Sequence, residues 1–378
     1  MTALEGHVLT PNGFIKGRLT FDGSRIGAVN GSPVDEASVR ESALPIIVPG
    51  FVDLHVHGGG GADVMDGGEA TAVVAQTHVR TGTTLMLATT MTAPASDLSA
   101  AFSGVAQAIA VASAASAARA AAHIFGVHLE GPYISEERLG AQPNFTRHLA
   151  MEELQALNAI SPIRLVTLAP ESSGNLEAIP ALVAAGYKVQ LGHSNASYEQ
   201  TKAALDAGAA GFTHLYNAMS ALQHRQPGMV GAALAHGEHA EIIVDLLHVH
   251  PGAIRAAMRS ISGLYCVTDS TAAANMPDGE YQLGRQRVTR CMGGVRLADG
   301  TLAGSVLTMD QAFRNLVQHL DLSLVEASRR TSTLAADYIG AADRGRISVG
   351  AFADVVVLDR NLLLTDVFAQ GVAVAHSA

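Results

Sequence analysis

The sequence predicts an α/β protein: a (β/α)8 TIM-like barrel with a small β-sandwich domain built from both termini. Three observations predict it. From Ile46 to Asp269, short β-prone runs alternate with longer Ala-rich segments, a pattern that implies parallel strands joined by crossover helices. Eight such runs can be counted, the number that closes a barrel. Both ends of the chain read differently, as short β-like runs broken by turn residues.

In chain order, residues 1–48 carry turn signals at Pro11-Asn12-Gly13 and Asp22-Gly23 and form the first part of the small β domain. Residues 49–343 form the barrel domain. The β-prone runs are Ile46–His57, Thr83–Thr90, Ile124–Glu130, Arg164–Pro170, Tyr187–His193, Gly211–His214, Glu241–Asp245 and Leu264–Asp269. Helical stretches such as Glu69–Thr81, Met151–Ala159, Asn175–Ala185, Glu199–Ala207 and Pro251–Ser260 lie between them. Residues 344–378 return to the small domain, with Ala353–Leu358 as the clearest strand. Strand counting alone also admits an open doubly wound sheet.

Composition sets the class. Of 378 residues, 48% are apolar and 15% charged, enough to build a large core and too apolar for disorder. A net charge of -10 argues against nonspecific nucleic-acid binding, which needs excess Lys and Arg. An anionic substrate would require a local site. Two cysteines, Cys266 and Cys291, cannot complete a thiolate zinc site, and Met1–Phe14 lacks a secretory pattern. The expectation is a reduced cytoplasmic protein. The long uncharged stretch Ala100–Ala122, which ends near Arg119, is made of Ala and Ser, so it reads as a helix of a soluble protein and not a membrane span.

The polar residues fall at strand ends. The first run ends in His55-Val56-His57, the third in His128-Leu129-Glu130, the fifth in Gly192-His193-Ser194, the sixth in Thr213-His214 and the eighth in Thr268-Asp269. In a barrel these ends share one rim, where catalytic groups gather. Taken singly, each has an ordinary explanation. Sixteen histidines would give roughly 0.7 His-x-His pairs by chance, and a lone His193 or His214 is more often a satisfied structural histidine. Glu130 alone could be a salt-bridge partner. Their joint placement at successive strand ends is what discriminates.

Imidazoles with a carboxylate suit Zn²⁺, Fe²⁺, Co²⁺ or Mn²⁺. Such an ion lowers the pKa of water to about 7, and a nearby aspartate, Asp269, would take the proton and return it to a leaving nitrogen. That is the chemistry of amide hydrolysis.

The string Pro49-Gly50-Phe51-Val52-Asp53-Leu54-His55-Val56-His57-Gly58 resembles the opening strand of the amidohydrolase superfamily. With His128–Tyr133, Gly192–Ala196, His214–Met219 and Leu302–Ser305, the chain resembles the N-acetylglucosamine-6-phosphate deacetylases of amino-sugar catabolism, from about Pro49 to Leu358. The resemblance implies that Glu130, His193 and His214 hold one divalent metal. His55 and His57 would allow a second ion bridged by Glu130, zinc being first choice and Fe, Co or Mn the others. It implies Asp269 as general base and acid, and His248 as the group that polarises the acetyl carbonyl or contacts the sugar. Arg225 would bind the phosphate, although an arginine in a polar loop is ordinarily solvated. Ala141, Gln142, Asn217, Ala218, Leu302, Ala303 and Gly304 would line the sugar and phosphate pocket. A homodimer is implied too, in which a neighbour's loop can reach the phosphate.

The chain departs from the pattern at Asp245-Leu246-Leu247-His248, where many members have Gly after Asp, so a leucine there would reshape the sugar pocket. It departs again at Gln142, where a histidine is common. The stretches Gln223–Ala232, His248–Pro251 and Met276–Gly279 also resemble N-acetylgalactosamine-6-phosphate deacetylases, which makes the galacto epimer the alternative substrate. A non-catalytic sugar-phosphate-binding or scaffold barrel should have lost ligands that are all present here. An amidohydrolase of cyclic amides or nucleobases would not need Arg225.

Overall fold

In the computed structural model, which describes residues 1–114 and 120–375, eight parallel strands form the barrel. In order they are Phe51–Val56, Thr83–Thr90, His123–Glu130, Ile163–Leu168, Lys188–Leu191, Gly211–Phe212, His239–Ile243 and Gly263–Val267. The first six make one sheet and the last two another. Backbone hydrogen bonds close the circle. Leu215 N–H donates to Glu241 O at 2.9 Å between sixth and seventh strands, and Asp269 N–H donates to His55 O at 2.9 Å between eighth and first. Thr268 Oγ1 reinforces the second seam by donating to Asp53 Oδ2 at 2.6 Å. Burial there pushes the Asp53 carboxyl up to about 7, against the hydrogen bonds from Thr268.

A helix follows each strand: Ala70–Val79, Ala95–Ala114, Met151–Ile160, Asn175–Ala184, Tyr198–Asp206, Gly228–His236, Pro251–Ser260 and Met309–Gln318. Local chemistry starts several of them. Ser197 and Gln200 form a reciprocal capping box, and Pro251 occupies the first turn after the His250 cap. Each helix turns an apolar face to the strands, as when Phe313 meets Phe51 with ring centroids 5.8 Å apart. By length and composition alone, Ala95–Ala112 would cross a membrane. Its Leu98, Ala101, Phe102, Val105 and Ala108 recur at three- and four-residue spacing and are buried in the core, which identifies the helix as a barrel crossover. The remainder of the predicted Ala100–Ala122 helix falls largely on 115–119, outside the described residues.

Both termini meet in one seven-stranded mixed sheet. Its order is Val372–Ala373, Leu364–Ala369, Val355–Leu358, Ile46–Pro49, Thr2–Thr10, Gly13–Asp22 and Arg25–Pro33. The expected sandwich takes the form of this single sheet folded back on itself. The Arg25–Phe352 bridge returns the edge strand to the segment before Val355, around Val8, Leu19, Phe21, Ile47 and Phe368. The predicted run Ile46–His57 is thus two strands. Ile46–Pro49 pairs with Thr2–Thr10 and Val355–Leu358, and Phe51 begins the barrel. The break falls at Gly50, where a Cβ would sit 2.2 Å from Thr84 Oγ1.

Between the eighth strand and its helix, the chain inserts a three-stranded antiparallel sheet, Gly279–Leu283, Gln286–Cys291 and Gly294–Arg296. Leu283, Val288 and Val295 pack with Met91, Ala273 and Ala303. Gly284 N–H donates to buried Asp63 Oδ2 at 2.9 Å, tying this cap to the barrel rim.

Candidate active site

Six of the sequence-predicted residues converge at the mouth of the barrel. His55 lies within the first strand and His57 just past it, while Glu130 is the last residue of the third. His193, His214 and Asp269 each lie two residues beyond a strand end, with φ of 47°, 29° and 51°. These are left-handed conformations for non-glycine residues, costing roughly 1–2 kcal/mol each. Such strain gathers where a side chain must be held in one direction.

Glu130 is the hub. Its Oε1 lies 2.9 Å from His214 Nε2, 3.1 Å from His193 Nε2 and 3.6 Å from His55 Nε2. Its Oε2 lies 3.2 Å from His57 Nε2. Asp269 Oδ1 faces His57 Nε2 at 3.3 Å and His55 Nε2 at 3.4 Å. The residues form two adjacent donor groups, Glu130 with His193 and His214, and His55 with His57 and Asp269.

The donor chemistry fits divalent cations. His193 Nδ1 lies 2.9 Å from Arg138 O, and His55 Nδ1 lies 2.9 Å from Glu241 Oε2. Both partners only accept, so each Nδ1 carries its hydrogen and Nε2 is the ring atom turned into the site to meet a cation. His193 Nε2 and His214 Nε2 then face each other at 3.0 Å, and His55 Nε2 and His57 Nε2 at 3.1 Å. Lone pairs that close need positive charge between them. The protein's own field asks for the same: burial would lower the His57 pKa, but Asp269 and Glu130 push it up to about 9. Burial would raise Glu130, and the histidines, His55 first, hold it well below the usual carboxylate range.

A cavity of about 240 Å³ opens beside this cluster. Its lining includes His57, Glu130, His193, His214 and Asp269, together with predicted contacts Ala141, Gln142, Asn217, Ala218, His248, Leu302 and Gly304. Gln142 reaches the cluster itself, donating from Nε2 to Glu130 Oε2 at 2.6 Å while its Oε1 accepts from Thr92 N–H at 2.7 Å. His248 is held by Asp245, whose Oδ2 lies 2.6 Å from its Nδ1. Gly304, at φ 61°, brings the chain across Asp269, and Ser305 N–H donates to Asp269 O at 2.7 Å.

Three predicted residues lie elsewhere. Ala303 is wholly buried in the cap's apolar cluster instead of lining the cavity. Arg225 is exposed on a separate cavity with Arg138, Asn195, Tyr198 and Gln223. Among the described residues lining the first cavity, none is Lys or Arg. Leu246, expected to reshape the sugar pocket, is outside the lining as well, and its mark is a backbone φ of 66°.

Sequence reasoning missed Glu241, Asp245 and the apolar wall of Met91 and Leu283. Glu241 left a signal, being a single carboxylate inside the otherwise apolar run Ala240–Val244.

Residues 46–375 match the model of the amidohydrolase family. The N-acetylglucosamine-6-phosphate deacetylase of Vibrio furnissii is 38% identical over 375 residues, covering 97% of this chain and 90% of that protein. The N-acetylgalactosamine-6-phosphate deacetylase of Escherichia coli O157:H7 is 39% identical over 353 residues, covering 92% and 91%. Among solved structures, N-acetyl-D-glucosamine-6-phosphate deacetylase from Mycobacterium smegmatis superposes with a TM-score of 0.88 at 35% identity, covering 99% of this chain and 100% of that one. An aspartate-to-alanine variant of that enzyme, in complex with N-acetyl-D-glucosamine-6-phosphate, gives 0.87 at 34% identity with 98% of each chain covered.

Proposed function

The chain belongs to the amidohydrolase family, and from that premise we propose that it hydrolyses the acetamide of N-acetyl-D-glucosamine 6-phosphate to D-glucosamine 6-phosphate and acetate. The observation that carries the reaction type is the meeting of Glu130, four imidazole Nε2 atoms and Asp269 at one barrel mouth. Each imidazole Nε2 there lies 2.9–3.6 Å from a carboxylate oxygen of Glu130, and those of His55 and His57 also lie 3.3–3.4 Å from Asp269. The substrate class comes from the relatives.

Glu130, His193 and His214 would hold one divalent ion, and His55, His57 and Asp269 offer donors to a second. Zinc, iron, cobalt and manganese all suit such ligands. When bound, such an ion supplies hydroxide at neutral pH and polarises a carbonyl. The remaining work falls to the chain. Asp269 orients the attacking water, accepts its proton and delivers it to the departing amine. His248 offers Nε2–H to the acetyl oxygen, where negative charge develops as the carbonyl carbon becomes tetrahedral. Gln142 keeps Glu130 from rotating. Asn217, the Ala218 backbone, Leu302 and Gly304 lie against the sugar, and Met91 with Leu283 keeps one wall dry.

The phosphate needs a cation that this cavity does not supply from its own lining. Arg225 of a second copy is our candidate, which makes the working unit a homodimer. A cytoplasmic site of action fits a sugar-phosphate substrate. The 39% identical relative supports the galacto epimer as a second reading.

The test is kcat/KM for acetate release from N-acetylglucosamine 6-phosphate, its galacto epimer and the unphosphorylated sugar, using metal-replete protein. Preference for the gluco phosphate is the expected result. Preference for the galacto phosphate would keep the chemistry and change the substrate, and no release from any of the three would refute the proposal.

A further inference from the structure

The fourth barrel strand, Ile163–Leu168, brings no group to the cluster at the mouth, yet the chain just past it carries the half-buried carboxylate of Glu171. Glu171 lines neither the catalytic cavity nor the one beside Arg225. Both of its oxygens are engaged by the chain that follows His193. Oε2 accepts from Ser194 Oγ at 2.7 Å, and Oε1 accepts from the Asn195 backbone N–H at 2.5 Å.

We propose that Glu171 is a positioning residue. By gripping Ser194 and Asn195 it holds His193 in its left-handed backbone and aims the His193 Nε2 at the cation position shared with Glu130 and His214. The inference deepens the functional reading above and rests on metal sitting at this mouth, whichever amide is cut.

His193 takes φ 47°, and a non-glycine residue keeps that conformation only where its surroundings over-determine it. Before it, Gly192 N–H donates to Leu168 O at 3.2 Å, and Ser135 N–H donates to His193 O at 2.9 Å. After it, Glu171 supplies charge-assisted bonds to the next two residues, each roughly twice as strong as a neutral one. Ser194 is wholly buried, so without the carboxylate its hydroxyl would lose its acceptor in a place solvent does not reach.

The grip closes on the imidazole itself. His193 Nδ1 donates to Arg138 O at 2.9 Å, and the Arg138 guanidinium donates to Asn195 Oδ1 from Nε at 3.0 Å and from Nη2 at 2.7 Å. Asn195 is therefore tied by its backbone to Glu171 and by its side chain to the residue that sets the direction of the imidazole. The same segment backs the cavity wall, since Ser194 N–H donates to Ala218 O and Ser220 N–H donates to Ser194 O, each at 3.0 Å.

The experiment is titration of metal-depleted protein with Co²⁺ against a competing chelator. The cobalt visible spectrum is recorded at each point, and the urea midpoint is measured on the same samples. Glu171→Ala should weaken Co²⁺ binding about 10-fold and change the spectrum, as loss of a partner behind a ligating histidine does. Glu171→Gln can satisfy both contacts, accepting from Asn195 N–H and donating to Ser194 Oγ. It should restore the parent's spectrum and most of its affinity. Parental affinity and spectrum in Glu171→Ala, with only a lower urea midpoint, would show a purely structural role and overturn the proposal. If Glu171→Ala does not fold, Ser194→Ala, which removes one of the two bonds, takes its place, and unaltered Co²⁺ affinity there overturns the proposal equally. A parent that binds Co²⁺ but cuts none of the three sugars refutes the functional reading, while the variants' affinities still decide this inference. A parent that binds no Co²⁺ overturns both.

Discussion

Asp245→Asn isolates what the charge behind His248 contributes to the reaction. Asp245 Oδ1 accepts from the backbone N–H groups of Leu247 and His248, each at 2.9 Å, while Oδ2 faces His248 Nδ1 at 2.6 Å. An asparagine oxygen can keep both backbone bonds, which leaves its NH2 turned towards Nδ1. The ring then stays in place only as the neutral Nε2–H tautomer. In the parent, burial would lower the His248 pKa, but the Asp245 hydrogen bond and charge, with Asp269 beyond, hold it above its ordinary value. The imidazolium, a stronger donor to the acetyl oxygen, therefore persists to higher pH. Exchanging a charge-assisted hydrogen bond for a neutral one forfeits about 1–1.5 kcal/mol, or roughly 5–13-fold in kcat. The sign follows from which form donates. In the parent the neutral ring keeps its hydrogen on Nδ1 and loses Nε2–H, so rate falls as pH rises through the His248 pKa. The neutral Nε2–H ring of the variant still donates, and that alkaline fall flattens. The assay is acetate release across a pH series, with metal content measured on the same protein. An unchanged rate and an unmoved alkaline limb would refute the donor role of His248.

Asp269→Asn should lower turnover by about 10²–10⁴-fold while the ion at Glu130, His193 and His214 stays bound, as elemental analysis would report; near-parental turnover would end the proton-carrier assignment. Arg225→Ala should raise KM for the phosphorylated substrate by about 10–100-fold and leave the unphosphorylated sugar unaffected, and equal losses on both would remove Arg225 from the phosphate. Leu246→Gly should change stability by under about 1 kcal/mol in urea melts, since relief of the left-handed backbone offsets the lost side chain; a cost of several kcal/mol would show that no strain was stored there. Burial first, then the Arg344 charge, lowers His123 to about 4, partly opposed by Asp343. The neutral form is thus favoured in the fold, and its stabilisation, up to about 3 kcal/mol, is present above pH 6.5 and lost as pH falls towards 4. His123→Gln should flatten the urea midpoint against pH over that interval, and an unchanged slope would contradict the assignment.

The legible parts of the site were those fixed locally. A β-branched run followed by a histidine or carboxylate announces a strand end, so Glu130, His193, His214 and Asp269 could be read one strand at a time. What depends on which strands face each other could not. Glu241 meets His55 across 186 positions of sequence, and nothing near either residue signals the pairing. The resemblance implies Gln142 as a sugar contact and it does line the cavity, but the return of its loop onto the Glu130 carboxylate is a tertiary event. Pro49-Gly50 marks the break inside the β-prone run Ile46–His57, and the close approach of Thr84 leaves no room for a side chain at Gly50. The cap from Gly279 to Arg296 lies outside the strand-end pattern that marked the site.

The sheet formed by the two termini has a consequence for biosynthesis. Ile46–Pro49 needs Val355–Leu358 on one side, so its antiparallel partner leaves the ribosome about 300 residues later. At roughly 5–20 residues per second, that is an interval of about 15–60 s. Throughout it, the nascent chain carries an unpaired apolar strand edge next to the start of the barrel, a template for wrong partners. The same arrangement makes completion of the small sheet a late check on chain integrity. A product truncated before Val355 has every barrel strand and every residue of the candidate site, yet it keeps that edge open and is marked for aggregation or proteolysis.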